Sequence, residues 1–94
     1  MDMENKVQEW LEQVEKDTNE VYTVFPVTMS YTTGKRYFKI IKENTGQSSV
    51  FAFIDKNTGD IYKPAGCSAP AKHVRGNVFT NPKCYSPYGI NYLR

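Results

Sequence analysis

The sequence predicts an α+β domain, in which an N-terminal amphipathic helix packs on a small antiparallel β-meander of three to four strands, followed by a long Pro/Gly-containing C-terminal loop region. Three observations point to it. Apolar residues near the N-terminus recur at helical spacing. Three later segments, rich in β-branched and aromatic residues, are separated by short Gly-containing turns. After Lys63 the regular patterning stops.

The helix is read from MENKVQEWLEQVEKDTNEVY, where Val7, Trp10, Leu11 and Val14 fall at i, i+3, i+4 and i+7. That spacing makes one apolar stripe, and Glu9, Glu12, Glu15 and Lys16 fill the polar side. Trp10 is the expected anchor on the sheet. Asp17, Thr18 and Asn19 are weak helix formers, so the helix should end between residues 16 and 22.

YTVFPVTMSYTTG, residues 22–34, has strand composition but contains Pro26, which confines a strand to an edge or splits it. Gly34 marks a turn. KRYFKIIKE, residues 35–43, alternates as a strand does, with Tyr37, Lys39 and Ile41 on one face and Arg36, Phe38, Ile40 and Lys42 on the other. NTGQ is a turn, and SSVFAFID, residues 48–55, is a strand with an apolar centre. KNTG turns again into DIYK, residues 60–63, a short third strand. Such short connections favour an antiparallel meander, and the helical stripe needs a sheet to cover. Beyond it, Tyr85, Tyr88, Tyr92 and Leu93 form an aromatic tail expected to lie back across the sheet. Residues 1–94 show no internal repeat and read as a single domain.

Only 39% of residues are apolar, yet the chain holds seven Tyr, five Phe and one Trp. Each buried ring removes roughly 150–250 Å² from water, which offsets the shortage of aliphatics. The domain should therefore fold alone or with modest self-association. No apolar run approaches the ~20 residues that span a bilayer, and no signal-peptide pattern is visible. A cytoplasmic protein without membrane contact is the expectation. Cys67 and Cys84 read as two free thiols. With His73 they supply three potential zinc ligands where about four are needed, and no CxxC or HxxxH pair accompanies them. No metal and no cofactor are expected.

Charge is divided along the chain. Residues 1–34 carry seven acids against two lysines, net −5, and residues 35–94 carry ten Lys/Arg against three acids, net +7. A basic surface can therefore coexist with an acidic helix, and an anionic partner is compatible with the small overall charge.

The stretch KPAGCSAPAKHVRGNVF, residues 63–79, concentrates chemistry. Lys63, Lys72, His73 and Arg75 supply cationic or hydrogen-bonding groups. Gly76 and Asn77 are residue types that enter left-handed backbone at low cost, so successive N–H groups could form an anion-binding nest. Arg75 could grip two oxygens of a phosphate while Lys72 acts as a point charge. GxxxxGK[ST] and GxGxxG are both absent. A plain surface loop, with Arg75 paired to Asp55 or Asp60, is the alternative. Catalysis by His73 with Cys67 or Cys84 has no local signature, and the chain is read as a non-enzyme. A second basic surface is offered by Arg36, Tyr37 and Lys39, where cations interleave with rings as single-strand binders require.

The run FAFIDKNTGDIYKPAGCSAPAKHVRGNVF resembles a segment of small, mostly uncharacterised proteins of phages and uncultured viruses. The shared features are the Asp-Lys-x-Thr-Gly-Asp turn at Asp55–Asp60, Lys63 with Ala65, and Ala69 through Asn77. The ending YSPYGINYLR is similar to a Tyr-Gly-x-x-Tyr-Leu-Arg terminus in the same proteins, while an aromatic residue associated with them near Gly66–Cys67 is missing here. The resemblance implies a phage-type accessory protein in the host-cell cytoplasm. Three functions follow as expectations. The first is binding of a phosphate-bearing ligand through residues 63–79, single-stranded nucleic acid foremost. The second is an anti-defence role, sequestering a small or cyclic nucleotide signal or blocking a host effector protein. The third is a structural or protein-interaction subunit.

Overall fold

The computed structural model of the protein describes residues 3–21, 26–66, 69–86 and 89–90. Helix α1 (Met3–Asn19) buries Val7, Trp10, Leu11, Val14 and Thr18, the stripe read from the spacing plus one polar residue. Asn19 ends the helix by turning its side chain onto the next element: its amide N–H donates to the Val27 carbonyl at 3.1 Å, and its Oδ1 accepts the Val27 N–H at 2.7 Å. Glu15 adds a second tie, accepting the Met29 N–H at 2.9 Å.

Five strands follow, β1 (Thr28–Thr33), β2 (Tyr37–Asn44), β3 (Gln47–Asp55), β4 (Asp60–Pro64) and β5 (Pro70–Asn77). They form one antiparallel sheet in sequence order. β6 (Tyr85–Ser86) and β7 (Gly89–Ile90) make a separate two-stranded ladder. The fold is α+β, and the meander is larger than the three to four strands expected. The long C-terminal loop is corrected in the same way, because residues 70–77 form a fifth strand. The prolines misled for a physical reason. Pro64 closes β4 and Pro70 opens β5, opposite each other at the mouth of a hairpin. Pro70 lies on the edge strand, and Pro64 lies beyond the part of β4 that pairs with β3, positions where a proline is tolerated.

β1 begins just after Pro26 and lies at the sheet edge, while Tyr22–Phe25 fall outside the described residues. The β2–β3 turn pairs Asn44 with Gln47 across Thr45 and Gly46, whose φ values of 52° and 82° are those of a type I′ hairpin. In β3, Phe51 has no partner in the ladder, since Ile40 faces Ala52 and Ile41 faces Val50. This bulge sends Phe51 and Ala52 together into the core.

The core lies between α1 and one face of the sheet. Phe38, Ile40, Phe51, Ala52, Ile54 and Ile61 meet Val7, Trp10, Leu11 and Val14 there, with Val78, Cys84 and Ile90 closing the side. Trp10 meets Phe51 and stands edge-on to Tyr85, at centroid distances of 6.2 and 5.8 Å. Of the aromatic tail expected to lie back across the sheet, Tyr85 packs against Trp10 of α1, and Tyr88, Tyr92 and Leu93 lie outside the described residues, while Ile90 joins the core. No helix among the described residues is long and apolar enough to cross a membrane.

Candidate functional site

Alternation places Tyr37 and Lys39 on the face of the sheet turned away from α1. Their cross-strand partners Asp55 and Phe53 share that face, as does Tyr62 opposite Phe53, and Val74 opposite Tyr62. No described element packs over it. Tyr37 stands edge-to-face with both Phe53 and Tyr62, at 6.0 and 5.9 Å. Phe53 is only 4% exposed and forms the floor. Tyr37 and Tyr62 are half-buried and rise beside it, while Val74 is 44% exposed at the far edge. Burial is also the main reason the Tyr62 hydroxyl is held above its ordinary value, with Asp60 adding to it.

Cations gather at one end of the rings. Lys35, Arg36 and Lys39 line an open depression of about 320 Å³ with Thr32, Thr33, Gly34, Tyr37 and Phe53. Two turns meet here and brace one another. The Lys56 N–H donates to the Arg36 carbonyl at 2.9 Å, and Lys56 Nζ donates to the Gly34 carbonyl at 3.0 Å. Arg36 lies over the Tyr37 ring, its guanidinium carbon 5.3 Å from the centroid. The sequence alternation set Arg36 on the face opposite Tyr37. The structure corrects this, because Arg36 precedes β2 and is free of its pleat. Phe38, set beside it in the alternation, is a core residue at 2% exposure.

The expected 63–79 residues are dispersed. Lys63 follows Tyr62 and so faces the helix side, where its Nζ donates to the Ile90 carbonyl at 3.4 Å. Lys72 and His73 stand exposed on the edge strand β5 next to Val74. Arg75 occupies a bulge, the residue left over as Ile61 pairs with Gly76 and Tyr62 with Val74. Arg75, Gly76 and Asn77 line a shallow depression with Asp60, but Lys63, Lys72 and His73 are not part of it.

Gly76 and Asn77 do not build a left-handed nest, which corrects the backbone expectation. Positive φ among the described residues is confined to Thr45, Gly46 and Gly59. Gly76 is needed for closeness: a Cβ there would sit 2.6 Å from both the Asn81 carbonyl oxygen and Cys84 Sγ. Asn77 is occupied internally. Its amide donates to the Thr58 carbonyl and to Asp60, and its Oδ1 accepts the Phe79 and Thr80 N–H groups. The APAKHVRGN wording thus encodes a strand and the turn after it.

Asp55 pairs with Arg36 at 3.6 Å. Cys84 is buried behind Gly76, and burial pushes its thiol up to about 11, leaving it protonated and inert at neutral pH. Cys67 lies outside the described residues, and among those described no group of three or more His, Cys, Asp or Glu is placed to hold a metal. Sequence reading missed Phe53 and Tyr62 as parts of the open face. The available signal was the partner register of Tyr37, which depends on the bulge at Phe51.

No curated protein and no solved structure matches the chain. A family does match, over residues 1–86, and it is described as a family of unknown function, DUF7717. The chain belongs to that family.

Proposed function

We propose that the protein is a non-enzymatic accessory protein of phage type that binds single-stranded nucleic acid across the open face of its sheet. What supports the reading is one juxtaposition: the Tyr37–Phe53–Tyr62 cluster lies directly beside Lys35, Arg36 and Lys39 on a face that no described element covers. Single strands are bound by ring stacking combined with neutralisation of the backbone, and neither component needs a deep cavity. From β2 to β5 the sheet spans roughly 14 Å, three inter-strand steps, which is room for two or three nucleotides. Lys72 and His73, exposed at the β5 edge, would meet the strand where it leaves Tyr62. Lys63 would take no part, and Gly76 and Asn77 would serve by shaping β5.

Titration of a labelled oligothymidylate by fluorescence anisotropy tests this. Binding at low salt should weaken as salt rises, with a slope of log K against log salt near −1.4 to −2.1, the value for two or three phosphates. No binding at low salt overturns the proposal. A second reading is favoured by the size of the depression at Arg36, about 320 Å³, which suits one small nucleotide and would fit an anti-defence sponge. Thermal shifts against a panel of mononucleotides and cyclic nucleotides separate the two. A sponge is stabilised by one compound and indifferent to oligomers.

A further inference from the structure

Asp55 is 5% exposed, and it is the only ionisable residue among the buried polar side chains described. Oδ1 accepts the N–H groups of Asn57 at 2.7 Å and Thr58 at 3.2 Å, which closes the β3–β4 turn. A neutral asparagine performs that task equally well and is common in such turns. What a carboxylate adds is its second oxygen. Oδ2 faces the Nε of Arg36 at 3.6 Å, on the same side of the sheet as the ring cluster.

The Arg36 side chain is 69% exposed but not undirected. Its backbone is pinned by Lys56, its guanidinium carbon lies over the Tyr37 ring, and its inner nitrogen faces Asp55. Among the described residues neither terminal NH₂ group has a hydrogen-bond or ion-pair partner, which leaves the outer edge of the fork available. That edge is the part of a guanidinium that grips two phosphate oxygens at once. A long side chain held this way gives up less rotamer freedom on binding.

We propose that Asp55 is a positioning residue, which aims the Arg36 fork at a phosphodiester of a single strand crossing the open face. The proposal rests on the single-strand reading above. Its sign separates it from simple electrostatics. As a bare negative charge beside an anion site, Asp55 would weaken binding, and its neutralisation would strengthen it. As the residue that aims Arg36, its neutralisation weakens binding.

The experiment measures the affinity of the full-length chain for a labelled oligothymidylate at one fixed low salt concentration. Wild type is compared with Asp55→Asn, Arg36→Gln and the double variant. Asparagine keeps the Oδ1 acceptor, so the turn is retained, and urea unfolding checks this. The expected result is a loss of about five- to tenfold in Asp55→Asn and a larger loss in Arg36→Gln. In the Arg36→Gln background, Asp55→Asn should then cause no further loss. An Asp55→Asn affinity equal to or tighter than wild type overturns the proposal and leaves the binding face standing. A wild-type chain that does not bind overturns the binding face itself. If Asp55→Asn unfolds, Arg36→Lys decides: it keeps the charge but has neither Nε nor fork, and undiminished affinity would overturn the proposal.

Discussion

Trp10 donates its indole N–H to the main-chain carbonyl of Pro82 at 2.8 Å, across 72 residues of sequence. The bond fastens the segment after β5 to the middle of α1. It explains why the one tryptophan of the chain sits at the centre of the helical stripe, where a leucine would fill much of the same space. Replacing it with phenylalanine removes ring area and leaves a partly buried carbonyl without its donor. Trp10→Phe should cost about 2–3 kcal/mol, read as a shift of the urea midpoint followed by circular dichroism.

Tyr85 makes the second tie to the helix, donating its hydroxyl to Asp17 at 2.7 Å. That hydrogen bond is the main cause holding the Asp17 carboxyl below its ordinary 3.8, with Gln13, Lys83 and Lys16 assisting against a smaller desolvation effect. Burial, and then the same bond, hold the Tyr85 hydroxyl well above its ordinary value. A carboxyl depressed on folding stabilises fully above its unfolded value, and the contribution is lost as pH falls through the folded value. Tyr85→Phe should therefore be less stable than wild type at neutral pH. The gap should narrow as pH falls below the ordinary carboxyl value of 3.8, when urea midpoints are compared at neutral and acid pH.

The type I′ turn puts a β-branched residue where φ is positive, since Thr45 has φ of 52°. Asparagine followed by glycine is the combination this turn favours, and Gly46 is already in place. Thr45→Asn should raise stability by about 0.5–1 kcal/mol, seen as a higher melting temperature with no change in the oligonucleotide titration.

At Gly76 the constraint is space. A methyl group would overlap the Asn81 carbonyl and Cys84, whose Sγ and Cβ lie at 2.6 and 2.8 Å from the added atom. Backbone on one side and a buried residue on the other leave little room to yield. Gly76→Ala should destabilise by about 2–3 kcal/mol in thermal unfolding, which a binding-loop glycine would not do.

The elements that could be read in advance are those whose pattern is local. The stripe Val7–Val14 specifies a helix by spacing alone, and Gly34, the NTGQ stretch and the KNTG stretch announce turns by residue type. Strand β5 was hidden because its sequence carries signals of two kinds. Pro70 and Gly76 argue against a strand interior, yet one sits at a strand end and the other at a close contact with Cys84, both facts of tertiary structure. The open face was half legible. Tyr37 and Lys39 followed from alternation, whereas Phe53 and Tyr62 required the register across three strands. Arg75, Gly76 and Asn77 were conspicuous as chemistry, and two of them turned out to serve the packing of β5 against its neighbours.

Helix α1 carries five acids against two lysines and lies on one side of the sheet, while Lys35, Arg36 and Lys39 lie on the other. These two groups, net −3 on α1 and +3 at Lys35, Arg36 and Lys39, face opposite ways across the sheet. A polyanion drifting near would exert a torque that swings the basic side toward it before contact. Association, more than dissociation, should then quicken as ionic strength is lowered.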